Sequence, residues 1–457
     1  MENIRSTYAP LSAIFITNLL AYMASFILLT NVSIKASAAG FSTFVIGLTG
    51  AAYFVGYGVG CLISPVLIAR VGHTRCFAAL SGILASIALL MPLFIDPVVW
   101  GIERFFLGLC TAGMLMVVES WLNEKAPADK RGQVLSIYII IAVVGNLASQ
   151  EIIIAGKAAP GDLLFVLAAI AACLSLVPLS LSVAASPMPL ARFRFRPLYL
   201  FALSPVACAA IFIQGMANAG FWSMSPRFIE LNGFGVDDAA RFIQAAIIGQ
   251  ALLQLVLGRW SDRTDRRVVL AASFAMAMIA AVVLAFLSGG NLELTLIGVF
   301  FYGGLALPPY AIALAHAGDH AKPEEFVEVS SGLTLLYSIG ASIGPIPGSY
   351  LMELYGPAAL FIWHASLFAL LTLFILYRIS VREAVPDEDR GDFIPISVPT
   401  ATTPEMAALD PRTPEDWYEE YADDENYLGD VVQPVIYGDD EESQEESESE
   451  RKTPDGS

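Results

Sequence analysis

Apolar runs of about 20 residues recur twelve times in this chain, and no other feature restricts its fold so tightly. A run of that length crosses bilayer hydrocarbon as a helix. A helix satisfies its own N–H and C=O groups where water is absent, and an open strand does not. The runs are Pro10–Ser33, Phe44–Ala69, Arg75–Ile95, Val98–Trp121, Gln133–Ala155 and Leu163–Ala184, then Leu200–Trp222, Asp237–Gly258, Arg267–Ser288, Leu292–Ala315, Val327–Leu354 and Ala358–Arg378. We number them spans 1 to 12. Span 1 is too long for a signal-peptide core and reads as a retained helix.

Composition agrees, but the charge has to be divided to be understood. The 457 residues are 56% hydrophobic, with a mean hydropathy of +0.64. The net charge is −18. From Val381 onward there are 24 acidic and 5 basic residues, which leaves 43 − 24 = 19 acidic and 25 − 5 = 20 basic residues in the rest. A nearly neutral membrane body therefore carries an acidic tail, and nothing in that balance suits a nucleic-acid partner. Cys61, Cys76, Cys110, Cys173 and Cys208 all lie in or at the end of apolar runs without a Cys-x-x-Cys spacing. They read as reduced packing residues.

Basic residues fix the orientation. Arg5, Arg70, Arg75, Lys125, Lys130, Arg131, Arg192, Arg194, Arg196, Arg259, Arg263, Arg266, Arg267, Lys322, Arg378 and Arg382 fall on one side, against Lys35, Lys157, Arg227 and Arg241 on the other. The first side is read as cytoplasmic, with both termini there. The halves resemble repeats. Gly56 precedes Arg70 by 70 − 56 = 14 residues, and Gly249 precedes Arg263 by 263 − 249 = 14 residues. Two six-helix bundles are expected, residues 1–184 and 200–380, joined by a linker at 185–199 and followed by a disordered tail at 381–457.

The loop between spans 8 and 9 reads Gly258-Arg-Trp-Ser-Asp262-Arg263-Thr-Asp265-Arg266-Arg267. Glycine allows close helix approach, and an Asp can face another helix's positive N-terminus. The pattern resembles the loop motif of the major facilitator superfamily (MFS), and Arg104-Phe-Phe-Leu-Gly108 resembles that family's span 4 motif. Glu119-Ser-Trp-Leu-Asn, Lys130-Arg131-Gly132 with Leu135-Ser-Ile-Tyr138, Pro309-Tyr310, Ala315-His316-Ala-Gly-Asp319-His320 and Ser330-Ser-Gly332 are similar to the YcaD-type branch of bacterial inner-membrane transporters. The resemblance covers roughly residues 10–380. It implies an all-α membrane protein of twelve helices in two pseudo-symmetric bundles, whose span 4 lines a central cavity. The first-half loop departs from the motif, with Ala69 in place of its Asp and Pro65 in place of its Gly. Gly340-Ala-Ser-Ile-Gly344-Pro345-Ile-Pro347-Gly348 is similar to the family's antiporter motif but stands in span 11 rather than span 5, so it carries no argument for antiport.

Candidate residues follow from charge placed in hydrocarbon. Arg104, several residues inside span 4, costs about 2.5–3.5 kcal/mol to insert unless it meets water or a partner. It is a candidate for gripping an anionic group or tuning a carboxylate, with Glu103 beside it; the alternative is snorkelling to the interface. Glu119 is a candidate latch partner for Arg70, Arg75 or Arg131, and Arg70 for Glu325 or Glu328. Asp262 is expected near Arg131 and Gly132 at the start of span 5, with Gly258, Arg263, Arg266 and Arg267 in the same latch. His316, Asp319 and His320 share a helical face. They read as a proton-sensitive gate or as solvated loop residues, and no metal is expected. Asn18, Gln214, Asn218, Tyr302 and Tyr310 are expected to reach the cavity, with Tyr22, Asn31, Asn146, Gln150 and Trp222 as a wider polar set. Gly56-Tyr-Gly-Val-Gly60 reads as helix packing, since no strand precedes it to form a phosphate loop.

These features suit a secondary transporter that moves a small organic solute by alternating access. No nucleotide motif or cofactor site is present, so protons are the expected coupling ion and export the expected direction. A receptor-like protein signalling through its acidic tail is the rival reading, and weak docking of a protein on the tail aromatics belongs with it. An enzyme would need a nucleophile, base and oxyanion donors at one depth, and the sequence supplies no such set.

Overall fold

The computed structural model describes residues 2–127, 130–156, 162–181, 196–322 and 325–382, together with Thr403, Met406, Asp410 and Thr413. Residues 185–195 of the expected 185–199 linker and most of the tail lie outside the described residues. Within them the fold is all helix. Twelve helical segments are long and apolar enough to cross a membrane: Leu11–Ala38, Thr43–Val71, His73–Leu90, Pro97–Lys125, Arg131–Ala155, Leu163–Ser180, Pro205–Leu231, Val236–Arg263, Arg266–Phe286, Leu292–Gly318, Phe326–Tyr355 and Ala358–Val381.

Span 7 departs most from its expected bounds. Its apolar run is divided into a short helix, Pro197–Leu203, and the span itself. Ser204 stands between them, and its hydroxyl accepts from Ala207 N while Pro205 occupies the first helical turn. A capping serine followed by proline starts a new helix rather than continuing an old one. Span 7 then runs past Trp222 to Leu231 and ends before Gly233, whose φ of 83° suits glycine.

Spans 10 and 11 are each broken by proline. Span 10 consists of Leu292–Ala306 and Pro309–Gly318; span 11 consists of Phe326–Ile343 and Pro345–Tyr355. Proline lacks an N–H, so carbonyls one turn earlier lose their helical donor. In span 10 Ser273 Oγ donates at 2.8 Å to Leu305 O, four residues before Pro309, and the amide of Gln214 donates to Ala306 O at 2.9 Å and Leu307 O at 2.7 Å in the break itself.

Close approach between spans depends on glycine. A Cβ on Gly56 would lie 1.8 Å from Phe105 O, and one on Gly108 would lie 1.9 Å from Tyr53 O, so spans 2 and 4 meet backbone to backbone. The second half repeats this arrangement. A Cβ on Gly249 would lie 1.9 Å from Phe300 O, and one on Gly303 would lie 2.4 Å from Ala246 O. Gly56 and Gly249, matched by their spacing to a loop arginine, thus make equivalent contacts. Dispersion from close packing, rather than burial away from water, holds helices together in lipid.

We predict that Gly249→Val forces spans 8 and 10 apart and costs at least the ~1–3 kcal/mol typical of overpacking. Gly82→Ala, where a Cβ meets nothing within 4 Å, is expected to be neutral. Thermal melting of the two purified variants in detergent checks the contrast.

Candidate functional site

Span 4 carries Glu103, Arg104 and Glu119, half of the six buried Asp, Glu and Arg side chains among the described residues. Asp96 starts it by accepting from Val98 N and Val99 N, and Pro97 fills the first turn. Arg104 lies two turns in and is only 1% exposed, so it does not snorkel. Its Nε is 3.4 Å from Thr49 O, and its guanidinium carbon is 5.1 Å from the centre of the Tyr53 ring. Its Nη1 has no protein partner among the described residues, and no carboxylate there pairs with it. Glu103 is also buried, with Oε2 unpartnered.

Other buried polar groups share that condition. Both side-chain polar atoms of Asn18 and Asn31 on span 1 lack a partner, as do Gln150 Oε1 on span 5 and Asn218 Oδ1, Trp222 Nε1 and Ser223 Oγ on span 7. An unpaired buried polar group costs about 1–3 kcal/mol.

Several expected cavity residues have other roles. Gln214 braces the break in span 10, as described above. Tyr302 is fully buried among Phe221, Phe361 and Phe368, and its Oη shares a 2.8 Å hydrogen bond with His364 Nδ1. In this structure it packs among these rings. Tyr310 Oη and Thr334 Oγ1 share a 3.0 Å hydrogen bond. His364 is fully buried with Nε2 unpartnered. Sequence reasoning passed over it because a lone histidine in an apolar run gives no pattern.

Glu119 is fully buried near the other end of span 4. Tyr138 Oη donates to Glu119 Oε1 at 2.6 Å, and Tyr22 Oη donates to Tyr138 Oη at 2.8 Å. The backbone N–H of Thr403 is 3.1 Å from each carboxylate oxygen, and Thr403 Oγ1 donates to Oε2. No ion pair joins Glu119 to Arg70, Arg75 or Arg131 among the described residues. Arg70 is exposed; Tyr199 Oη donates to Glu325 Oε2 at 2.9 Å, and Arg196 lies 3.6 Å from Glu328. The expected carboxylate–arginine latch at Glu119 is replaced by tyrosine and a tail residue. Thr403, Met406, Asp410 and Thr413 are 2%, 3%, 0% and 4% exposed, so at these positions the tail is not solvated.

The loop between spans 8 and 9 holds its arginines within the second half. Arg266 is 2% exposed; its Nε donates to Asp319 Oδ2 at 2.7 Å and its Nη1 to Ser261 Oγ at 3.0 Å. Asp319 is therefore an ion-pair partner and not a solvated loop residue. Arg267 grips Asp265 through Nε and Nη2 and donates from Nη1 to Arg382 O at 2.8 Å. Through these contacts the two arginines brace the second half. Burial raises the Asp265 pKa, but its hydrogen bonds from Arg267 outweigh that and hold it below its usual value. Asp262, near the end of span 8, lies 3.9 Å from Arg266 at the start of span 9. His320 Nδ1 is 2.8 Å from His316 O.

At the opposite end of the spans, contacts cross between the halves. Phe44 N donates to Glu353 Oε2 at 2.6 Å, Arg227 Nε to Thr43 Oγ1 at 3.2 Å and Ser33 Oγ to Ser223 O at 3.0 Å. A Cβ on Gly47 would lie 1.9 Å from Ser349 Oγ. That end is zipped shut by spans 1 and 2 against spans 7 and 11.

The Major Facilitator Superfamily profile matches residues 14–249 and 242–418. The chain belongs to that superfamily. It is 25% identical over 377 residues to the MFS-type transporter YcaD of Salmonella arizonae, covering 81% of this chain and 96% of the relative. The fold is similar to a mutant form of the nucleoside transporter NupG, with a TM-score of 0.65 and 12% identity over 80% of this chain and 99% of that one. It is also similar to a bacterial homolog of the human lysosomal transporter Spinster in an inward-facing, occupied conformation, with a TM-score of 0.65 and 14% identity over 84% and 98% of the two chains.

Removing one partner of a buried ion pair strands the other. We therefore expect Asp319→Asn to cost about 3–5 kcal/mol and Arg266→Met with Asp319→Leu together to cost much less. A double-mutant melting series checks this. Because the folded Asp265 value lies below its unfolded one, its stabilisation is present above about pH 4 and fades as pH falls through the folded value. The melting gap between wild type and Asp265→Asn should accordingly narrow on acidification, and a gap that widened would contradict the Arg267 grip.

Proposed function

We propose that this superfamily member is a secondary active transporter that moves a small neutral or anionic organic solute across a bacterial inner membrane, exchanging it outward for protons. The observation that carries the reading is the buried, carboxylate-free Arg104 among unpartnered polar groups on spans 1, 4, 5 and 7. A fixed positive charge there opposes a second cation and favours a solute carboxylate or a neutral hydrogen-bonding solute. Loss of the opposite-end zipper would open the interior on that side, and closure at the basic end would complete the alternation, with residues 1–184 rocking against 200–380. The basic loops argue for placing that end and both termini in the cytoplasm.

In this scheme Glu119 is the proton-carrying carboxylate. It is fully buried, and the Tyr138–Tyr22 chain gives its proton a hydrogen-bonded path along the interior. Asp262, with Gly258, Arg263 and Arg131, is the proposed latch across the basic end in the state closed there. The packing of spans 5 and 8, where Gln244 Nε2 donates to Glu151 Oε1 at 2.7 Å, brings the two helices that carry those residues side by side.

The test is a solute-uptake screen in inverted vesicles with and without an inside-acid gradient. Gradient-driven accumulation marks proton-coupled export. With a solute in hand, Arg104→Ala should reduce flux at least 100-fold at equal expression and unchanged melting, and Arg104→Lys should remain impaired because it lacks the planar fork. Full flux in Arg104→Ala would remove the arginine from the mechanism.

A further inference from the structure

We propose that the cleft where spans 7, 9, 10 and 12 converge on the basic side is a binding site for the phosphate of an anionic phospholipid headgroup in the adjoining leaflet.

The cleft is built from four helix ends. Ser204 and Pro205 start span 7, and Arg267 is the second residue of span 9. His316 and His320 flank the end of span 10, and Arg378 lies in the last turn of span 12 with Arg382 as its cap. Two side chains tie these ends together through backbone carbonyls. Arg267 Nη1 donates to Arg382 O at 2.8 Å, and Arg382 Nη1 donates to Leu203 O at 3.4 Å. Three arginines and two histidines line the cleft, and no carboxylate does among the described residues.

Positive charge and N–H donors are in surplus there. Arg267 is engaged by Asp265, with Nη2 and Oδ2 2.7 Å apart. Arg378 is not: its Nε is buried without a partner, and its guanidinium pairs with no carboxylate among the described residues. Arg382 reaches a carbonyl and no carboxylate among them. His316 is 5% exposed, stands edge-on to His320 with ring centres 4.8 Å apart, and its imidazole makes no hydrogen bond among the described residues. Even when neutral, that ring has one N–H to give. Val206, second in span 7, has an N–H with no acceptor in its own helix, while Ser204 Oγ takes that of Ala207. Guanidinium forks beside such donors are the groups that grip phosphate oxygens.

Size and depth identify the source of the phosphate. The enclosed space is about 10 Å³, room for one oxygen-sized group. It therefore takes the tip of a phosphate whose remainder stays outside, and it excludes a whole organic solute. The ends of four spans mark the plane where hydrocarbon gives way to headgroups. Basic pockets between spans at that plane suit anionic lipids. Tyr377 and Val381, the neighbours of Arg378 and Arg382 in sequence, are 60% and 58% exposed. They offer acyl chains an apolar surface beside the cleft, which a free phosphate would not need. An occupied cleft joins span 12 to the starts of spans 7 and 9, whatever solute is carried.

The experiment uses the full-length protein in detergent, titrated with dioctanoyl phosphatidylglycerol and followed by thermal melting. Dioctanoyl phosphatidylcholine and inorganic phosphate are the other arms. A ligand that binds the native state raises the melting temperature in a saturable way. We expect phosphatidylglycerol to bind wild type about 10-fold more tightly than either of the others. Arg378→Gln and Arg382→Gln should each weaken it about 10-fold. Arg259→Gln, which removes the same charge from an exposed position at the same end, should leave it unchanged. Arg382 is exposed, so its variant carries the test if Arg378→Gln fails to fold. Equal binding of the two lipids means that only their chains are recognised, and overturns the site. Inorganic phosphate binding as tightly as phosphatidylglycerol overturns the lipid source. A loss in Arg259→Gln as large as in the cleft variants reduces the effect to surface charge and overturns the site as well. No arm reads flux, so these outcomes and the transporter reading stand or fall separately.

Discussion

Every other feature follows from one constraint, that a backbone in hydrocarbon has to satisfy its own hydrogen bonds. It makes the twelve spans helical and shows where a break is tolerable. Span 10 breaks at Pro308, where Gln214 from span 7 and Ser273 from span 9 donate to the carbonyls of Ala306, Leu307 and Leu305. The same constraint gives weight to side-chain groups left without partners. In an interior where orphan groups are costly, the unpartnered atoms of Asn18, Asn31, Asn218 and Arg104 are the observation on which the proposed cavity rests.

Charge follows the same logic at the basic end. The loop arginines most suggestive of a link between halves are committed locally, Arg266 to Asp319 and Arg267 to Asp265 and Arg382. Asp319 sits just beyond Gly318, the last residue of the second piece of span 10. The pair therefore ties that piece to the start of span 9. With Gln214 bracing the break above it, the lower piece of span 10 is held at both ends, and the loop and this piece form one stiff block.

What was legible in the sequence was whatever depends on periodicity and composition. Spans and the equivalence of Gly56 with Gly249 follow from hydrophobic length and fixed spacing. Burial of Arg104 also follows, since its depth in span 4 can be counted. Partners were not legible. Tyr302 and Gln214 look like cavity residues because any polar group in a span does; only packing shows that one meets His364 and the other two carbonyls. Thr403 was hidden by its surroundings, an acidic stretch whose average composition forbids a core. The signal was local, in the Thr403-Pro404, Asp410-Pro411 and Thr413-Pro414 pairs, each a capping residue with proline after it.

The glycine seams carry a consequence for variation. Gly56 and Gly108 bring spans 2 and 4 together with no side chain between them, and Gly249 and Gly303 do the same for spans 8 and 10. A seam of backbone against backbone has no rotamers to rearrange. A single added methyl there is felt on both helices at once.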